Sequence, residues 1–204
     1  MTPAPGAIVL LNGAPRSGKS SIARAVQDQC PGIWINLGVD LLMQATPELL
    51  RPGIGLRPGG ERPDLEPAIQ QLYHALFASI AAAARSGINV VADLGMHDGY
   101  SRPLGILADA VAQLRGLPVL FVGVRAPIET IMARRNADSQ GGYYAAGDAV
   151  PDPVLRWQAA PHAHGVYDLD LDTALLTPEA AAAEIMKALT NPPAPSAFEH
   201  LATA

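Results

Sequence analysis

The stretch LLNGAPRSGKSSIARAV, residues 10–26, decides the fold of this chain. It contains the pattern G-x-x-x-x-G-K-[ST], which wraps the phosphates of a bound nucleotide when it follows a strand and precedes a helix. An apolar run at residues 7–12 predicts the strand, and apolar residues at helical spacing over 19–29 predict the helix. The alternative is a glycine-rich turn with a solvated lysine. The chain has only two lysines, Lys19 and Lys187, and this scarcity favours the phosphate-binding motif.

The phosphate-binding loop, or P-loop, predicts ATP and Mg²⁺ as cofactors. We expect its backbone N–H groups to hold the β-phosphate, Lys19 to bridge the β- and γ-phosphates, and Ser20 to bind Mg²⁺. The residues expected to bind the nucleotide are Gly13, Ala14, Pro15, Arg16, Ser17, Gly18, Lys19, Ser20 and Ser21. The same loop occurs in motors, switches, regulators and kinases, so it leaves the phosphate acceptor open.

Strands and helices alternate along the rest of the chain. Strands are predicted at 33–40, 89–93, 118–124 and 167–173, and helices at 65–85, 103–115, 127–137 and 178–189. This alternation predicts an α/β fold, a three-layer sandwich with a mostly parallel sheet of the P-loop NTPase/kinase type. We expect one domain over residues 1–190, with a Pro/Gly-rich surface loop at 51–64 near the site. A flexible C-terminal tail is expected at 191–204.

Composition narrows the classes of partner. A net charge of -5 argues against nucleic acid and against anionic membranes, so a small-molecule partner fits better. The apolar run near the N-terminus is too short for a signal peptide or a membrane span, and the single cysteine, Cys30, forms no internal disulfide. We therefore expect a cytoplasmic protein. No helix face marks an oligomer interface, which leaves the oligomeric state open.

Two aspartates end predicted strands close to the P-loop. Asp40 is a candidate catalytic base that accepts a proton from an acceptor hydroxyl, with a helix cap as the alternative. Asp93 closes the strand NVVAD, from which a carboxylate reaches Mg²⁺ or its waters, and it is also a candidate for the substrate pocket. Such a strand and aspartate resemble a Walker B element. Ser20 and Asp93 are therefore the predicted Mg²⁺ ligands.

Arginines and histidines supply the remaining candidates. Arg134 is the first choice for neutralising charge on the transferred phosphoryl group, and Arg125 is the second. The alternative for each is a solvated residue of its element. His97 follows Asp93 closely and is a candidate for the acceptor pocket. His162 and His164 suggest zinc, but no cysteine or third clustered histidine supports that interpretation.

Several of these segments together resemble the chloramphenicol phosphotransferase-like family of P-loop kinases. The resemblance covers about residues 8–189 and rests on LNGAPRSGKSSIAR, LGVDLL, INVVADLG, VGVR and WQAAPHAHGVYDLDLDT, in that order. It implies ATP-dependent phosphorylation of a hydroxyl of a small molecule, which in the type member is the primary hydroxyl of an aromatic antibiotic. The resemblance also implies that Asp40 is the general base and that Arg134 belongs to a lid, around 126–150.

Two departures from the family pattern concern the second acid and the lid. Relatives often show paired acids where this chain has Asp93 followed by Leu94, and an arginine-rich lid where it reads ADSQGGYY at 137–144. Loss of a lid arginine weakens nucleotide stacking or charge neutralisation. The lid mechanism of relatives therefore does not carry over directly.

Three hypotheses follow. The main one is an ATP-dependent small-molecule O-phosphotransferase, whose acceptor is either an antibiotic such as chloramphenicol or an unrelated metabolite alcohol. The second is a nucleotide-binding regulatory protein without small-molecule transfer, and the altered lid favours it. The third is a nucleoside or nucleotide kinase, which requires basic residues in the acceptor pocket. Arg51, Arg57 and Arg62 keep the third hypothesis open.

Overall fold

Five short segments form one parallel sheet in the computed structural model, which describes residues 4–137 and 149–203. The strands are β1 (Ile8–Asn12), β2 (Trp34–Asn36), β3 (Asn89–Leu94), β4 (Val119–Arg125) and β5 (Leu169–Asp172), in the spatial order β2-β3-β1-β4-β5. All four pairings are parallel. The central strand β1 is buried along its whole length, because both faces of a parallel sheet are covered.

Helices cover the two faces of this sheet. They are α1 (Lys19–Gln29), α2 (Val39–Ala45), α3 (Glu66–Arg85), α4 (Ile106–Gln113), α5 (Ile128–Ala137), α6 (Asp152–Ala159), α7 (Pro178–Thr190) and α8 (Ala197–Leu201). Ile8 and Leu10 of β1 pack in a core with α3, α4 and α8, whereas Val9 and Leu11 pack with α1 and α7. The alternation of side chains along a strand produces these two cores. The predicted three-layer α/β sandwich with a parallel sheet is confirmed.

The C-terminal segment differs from the prediction. The structure has a helix, α8, inside the segment 191–204 that was predicted to be flexible. Ser196 and Glu199 form a reciprocal capping box at its N-terminus, and Phe198 is buried in the core beside α4 and β4. Asp168 fixes the same end, because its Oδ1 accepts a hydrogen bond of 2.7 Å from the backbone N–H of Ala197. A buried aromatic residue and a capping box thus hold α8 against the core, within the segment predicted to be flexible.

The carboxyl ends of the strands carry the loops that build the site. The Pro/Gly-rich segment 51–64 is largely irregular, as predicted, with one short 3-10 helix at Gly53–Leu56. A second one precedes it at Glu48–Leu50. Helix α6 was not predicted, and it lies beyond the predicted lid, of which residues 138–148 fall outside the described part of the chain. Within the described ranges, no helix has the length and apolar character needed to span a membrane.

Candidate active site

The P-loop joins β1 to α1 in a backbone conformation that leaves room for phosphates. Gly18 has φ 99 and Arg16 has φ 67, so both lie in the left-handed region. Gly13 contacts β4 so closely that a Cβ atom there would overlap the carbonyl oxygen of Val124. The turn ends at the N-terminus of α1, where free N–H groups and the helix dipole favour an anion. The loop therefore has the geometry of a phosphate cradle.

A cavity of about 910 Å³ opens in front of this loop. Eight of the nine residues predicted to bind the nucleotide line it: Gly13, Ala14, Pro15, Arg16, Gly18, Lys19, Ser20 and Ser21. The ninth, Ser17, lies behind the loop, where it lines a smaller cavity of about 230 Å³ and its hydroxyl is buried. The main cavity also contains Asp40, Asp93 and Arg134. Most of the residues predicted from separate motifs are thus brought to one place.

Lys19 is held inside the loop that it belongs to. Its Nζ donates hydrogen bonds to the carbonyl oxygens of Gly13 at 2.9 Å and Ala14 at 2.8 Å. Burial lowers the pKa of Lys19 to about 8, although the charges of Asp93 and Asp40 act in the opposite direction. Burial disfavours the charged form of Lys19. Phosphate oxygens bound beside Nζ would stabilise that charged form and so raise its pKa again.

Asp93 and Ser20 meet at the carboxyl end of β3. The Ser20 hydroxyl donates a hydrogen bond of 2.6 Å to Oδ2 of Asp93. Gly38 lies against the same carboxylate, and a Cβ atom at Gly38 would overlap Oδ1. A glycine at position 38 therefore keeps space for the Asp93 side chain. Two adjacent oxygen donors, one of them a carboxylate, match the ligand preference of Mg²⁺ and fit the predicted ion.

Asp40 stands in the first turn of α2, facing the same cavity. Burial and the neighbouring charge of Asp93 raise the pKa of the Asp40 carboxyl, while the charge of Lys19 lowers it. The side chain makes no cap hydrogen bond to its helix, whose N-cap residue is Gly38. The alternative role of Asp40 as a helix cap is therefore not supported by the local geometry.

Arg134 links the P-loop to the segment after β5. Its Nη1 donates hydrogen bonds to the carbonyl oxygen of Arg16 at 3.1 Å and to Oγ1 of Thr173 at 2.8 Å, and its Nη2 donates to the carbonyl oxygen of Thr173 at 2.7 Å. The guanidinium is thereby fixed beside Gly18, at the wall of the cavity. Arg135 is buried and lines the same cavity. Both arginines at the end of α5 thus line the cavity in front of the P-loop.

Arg125 and His97 are not brought into this cavity among its described lining residues. Arg125 ends β4 and forms an ion pair with Asp170, whose Oδ1 accepts from its Nε at 2.7 Å. The Arg125 side chain lines the smaller cavity behind the P-loop. Its predicted role in neutralising charge on the transferred phosphoryl group is not supported by this position, because β4 lies on the far side of β1 from Asp40.

Both nitrogens of the His97 ring form hydrogen bonds with backbone groups of the protein. Its Nδ1 accepts a hydrogen bond of 3.0 Å from the Gly99 N–H, so the proton resides on Nε2, which donates to the carbonyl oxygen of Leu56 at 2.8 Å. Burial lowers the pKa of His97 and favours this neutral ring. The ring stacks on Tyr100 with centroids 4.3 Å apart. The structure therefore assigns His97 to holding the 51–57 loop against the loop after β3, rather than to binding an acceptor directly.

Sequence reasoning missed two residues that line the cavity and one buried residue at the end of β1. Trp157 of α6 and Tyr73 of α3 line the cavity. Asn12, at the end of β1, is fully buried and donates hydrogen bonds to the carbonyl oxygen of Pro161 at 2.8 Å and to the Tyr167 hydroxyl at 3.1 Å. A polar residue ending an otherwise apolar buried strand was the signal for Asn12. No local signal distinguishes Trp157 or Tyr73 from core residues, since both sit in apolar helical patterns.

Comparison with known proteins agrees with this geometry. Residues 6–190 match the family model described as "Chloramphenicol phosphotransferase-like protein". A Mycobacterium tuberculosis protein named "Putative O-phosphotransferase" is 30% identical over 210 residues, which cover 96% of this chain and 88% of the relative.

Two solved kinases resemble the fold. Shikimate kinase from Acinetobacter baumannii in complex with shikimate has a TM-score of 0.60 at 12% identity, covering 91% of this chain and 94% of that chain. The Mycobacterium tuberculosis APS kinase CysC in complex with AMPPNP and APS has a TM-score of 0.56 at 17% identity, covering 93% of this chain and 99% of that chain. The solved structures show the P-loop kinase fold, and the family match covers most of the chain. This chain therefore belongs to the chloramphenicol phosphotransferase-like family of P-loop kinases.

Proposed function

We propose that this protein is an ATP-dependent O-phosphotransferase that transfers the γ-phosphoryl group to a hydroxyl of a small molecule. The observation that carries the proposal is that Asp40 faces the same cavity as Lys19 of the P-loop. A nucleotide-binding module needs only the phosphate cradle. A kinase also needs a group that orients and deprotonates the acceptor, and Asp40 has the position and the chemistry for that role.

The transfer step uses the charges already described. Asp40 accepts the proton of the acceptor hydroxyl as its oxygen forms a bond to the γ-phosphorus. The bond from the γ-phosphorus to the bridging oxygen breaks, and ADP leaves with that oxygen. Lys19 and Arg134 bind the phosphates and stabilise the charge that moves onto them. The raised pKa of Asp40 suits this function, because a base whose pKa lies closer to the working pH is a more effective proton acceptor.

Ser20 and Asp93 would hold the Mg²⁺ ion that accompanies ATP. They supply a hydroxyl and a carboxylate oxygen, which already lie within hydrogen-bond distance of each other. Mg²⁺ bound there neutralises phosphate charge and orients the nucleotide. Asp93 also shapes the site by its charge, because it raises the pKa of Asp40.

The decisive experiment measures ADP release by the purified protein with ATP and Mg²⁺ across a panel of hydroxylated antibiotics and metabolites, including chloramphenicol. Asp40→Asn keeps the shape of the side chain and removes the base, so we expect acceptor-dependent ADP release to fall by at least about a hundredfold. Binding of ATP, measured by calorimetry, should persist. Asp28→Asn on the exposed face of α1 is the matched control and should retain full turnover. Unchanged turnover in Asp40→Asn would refute the assignment of the base.

Two other functions are separated by the same panel. A regulatory protein would bind ATP tightly and show no acceptor-dependent ADP release with any compound. A nucleoside or nucleotide kinase would select nucleosides or their monophosphates, and the basic side chains of Arg51 and Arg57 on the cavity wall favour that candidate. Arg62 does not support it, because this residue is exposed and forms an ion pair with Asp64 at 2.8 Å.

A further inference from the structure

Tyr73 is a buried tyrosine on the wall of the main cavity. It lies on α3, and only 4% of its surface is exposed. Its ring packs in the hydrophobic core, where the ring centroid of Phe77 is 5.8 Å away. The hydroxyl at the end of this ring has no hydrogen-bond partner among the residues that the structure describes. Buried polar groups are nearly always hydrogen-bonded, so this hydroxyl is available to a ligand that enters the cavity.

A comparison with the neighbouring Tyr100 shows that the Tyr73 hydroxyl is accessible. Within residues 4–137 and 149–203, the Tyr100 hydroxyl also has no hydrogen-bond partner, but it is completely buried, and Tyr100 does not line the cavity. The Tyr73 hydroxyl is not enclosed in this way, since its side chain reaches the cavity. A ligand can therefore meet the hydroxyl of Tyr73 without meeting that of Tyr100.

Tyr73 lies on the side of the cavity where the candidate base stands. It belongs to the core that Val39 and Leu56 pack against, and both of these residues also line the cavity. Val39 immediately precedes Asp40 at the start of α2. Helix α1, which begins at Lys19, packs in the other core on the opposite face of the sheet. Tyr73 is thus placed with the candidate base rather than with the helix of the phosphate cradle.

Trp157 gives the body of a ligand a flat apolar surface. Its ring lies against the backbone at Gly95, where a Cβ atom would stand 3.0 Å from it, and it meets the His97 ring edge-on with centroids 5.0 Å apart. Trp157 lines the cavity together with Met43 and Leu56. The cavity therefore offers an apolar surface for a carbon skeleton and, at Tyr73, a polar group for one further atom of the ligand.

The chemistry of the Tyr73 hydroxyl makes it a hydrogen-bond donor. Burial raises the pKa of Tyr73, so the hydroxyl stays protonated at physiological pH. A phenol donates hydrogen bonds better than it accepts them, because its oxygen lone pairs are delocalised into the ring. A ligand that covers this hydroxyl without accepting its hydrogen bond leaves a buried donor unpaired. Such a group discriminates between ligands of the same shape.

We infer that Tyr73 selects the acceptor molecule by donating a hydrogen bond to a neutral oxygen that is distinct from the hydroxyl facing Asp40. This inference rests on the proposed kinase function and narrows the acceptor to uncharged alcohols that carry a second oxygen, such as a carbonyl oxygen. A neutral oxygen fits this donor, because a phenol carries no charge that would balance an anion buried beside it. Tyr73 is accordingly a residue that determines specificity, and the proton of the reacting hydroxyl still goes to Asp40.

The test compares alcohols of the same shape that differ in one oxygen. Acetylbenzyl alcohol and isopropenylbenzyl alcohol, each in the para and the meta form, differ by a carbonyl oxygen in place of a methylene group. The ketone β-hydroxyethyl methyl ketone and the alkene isoprenol form a smaller pair of the same kind. We would measure kcat/KM for ADP release with ATP and Mg²⁺. The ketone of at least one pair should be preferred by about tenfold, as expected when the loss of one hydrogen bond leaves its donor unpaired.

Substitutions then assign this preference to one hydroxyl. Tyr73→Phe removes the hydroxyl and keeps the ring in the core, so the ketone preference should fall about tenfold. Tyr100→Phe removes the enclosed hydroxyl of the neighbouring ring, and as the matched control it should keep the preference. The midpoint of thermal unfolding should not fall in Tyr73→Phe, because the free protein gives this hydroxyl no partner to lose. An equal loss for the ketone and the alkene in Tyr73→Phe would overturn the inference, since the hydroxyl would then serve the reacting group.

A binding measurement separates this inference from the kinase proposal. Saturation-transfer NMR with the same pairs, on the protein saturated with Mg²⁺ and AMPPNP, reports acceptor binding without turnover. Preferential binding of the ketones that is lost in Tyr73→Phe supports the role of Tyr73 even where no compound releases ADP, an outcome that refutes only the kinase proposal. Three results would overturn the inference: equal binding within every pair, failure of every ketone to bind, or a preference that survives in Tyr73→Phe.

Discussion

Lys19 offers a direct test of the electrostatics of the phosphate cradle. The pKa of this buried lysine is lowered to about 8 in the nucleotide-free protein, so about nine-tenths of the molecules carry the charge at pH 7 and about one-tenth at pH 9. Phosphates beside Nζ favour the charged form, which raises the pKa of Lys19 in the complex. Nucleotide binding should therefore become coupled to proton uptake above pH 8.

The magnitude follows from these fractions. When only the charged form of Lys19 binds phosphate well, the apparent Kd rises in inverse proportion to the fraction of molecules that keep the charge. From pH 7 to pH 9 the affinity for Mg²⁺-AMPPNP should fall about tenfold, which corresponds to about 1.4 kcal/mol. Nearly one proton should be taken up for each nucleotide bound at pH 9. The nucleotide itself is already fully ionised over most of this range, so it contributes little to the slope.

Isothermal titration calorimetry at pH 7, 8 and 9, in buffers of different ionisation enthalpy, measures both the Kd and the proton uptake. Lys19→Met should bind weakly, and its affinity should not depend on pH in this range. Lys187→Met is the matched control, because Lys187 is the only other lysine in the chain and its side chain is exposed on α7. An affinity of the wild type that stays constant from pH 7 to pH 9 would refute the reasoning, and so would the same slope in Lys19→Met.

Three further substitutions test other parts of the structure. Ser20→Ala removes one oxygen donor beside Asp93, so the Mg²⁺ concentration for half-maximal ADP release should rise about tenfold, and an unchanged requirement would contradict the proposed Mg²⁺ ligands. Gly38→Ala drives a methyl group into the Asp93 carboxylate, and turnover should fall about a hundredfold while the cooperative thermal transition persists. Full activity of that variant would mean that the carboxylate moves freely. Phe198→Ala should lower the free energy of unfolding by about 3 kcal/mol in urea titrations, and a loss below about 1 kcal/mol would mean that α8 adds little to the core.

The sequence was informative wherever a local pattern dictates geometry. The P-loop glycines require a left-handed or crowded backbone, so their spacing alone predicts the cradle, and the structure has φ 99 at Gly18. The carboxyl ends of parallel strands and the segments that follow them meet at one edge of the sheet, which is why Asp40 and Asp93 could be predicted to face the same place as Lys19, although Asp40 lies in the first turn of α2 rather than in β2. Charge interactions of both aspartates with Lys19 agree with that prediction.

Sequence reasoning was less successful for side chains whose partners come from distant parts of the chain. Arg125 ends a strand just as Asp93 does, but Asp170 on the neighbouring strand β5 takes its guanidinium. His97 follows Asp93 closely in the sequence, but backbone groups of Gly99 and Leu56 occupy both of its ring nitrogens. Trp157 comes from a helix beyond the lid and reaches the cavity only through tertiary packing. Such contacts depend on which elements become neighbours, and local spacing does not contain that information.

The most distinctive residues of the family resemblance mainly form hydrogen bonds within the protein. In the segment 162–173, the Tyr167 hydroxyl is bonded to Asn12 at the end of β1 and lies 2.8 Å from His162. Thr173 donates a hydrogen bond of 2.7 Å to the P-loop backbone at Ser17 and accepts one from Arg134. These contacts fix the phosphate cradle and its arginine relative to the sheet. They do not involve the part of the cavity lining that the 51–57 loop and α6 supply. If the proposed function holds, a substitution in this segment should weaken ATP binding and leave the choice of acceptor unchanged, because the segment supports the P-loop and the 51–57 loop and α6 line another part of the cavity.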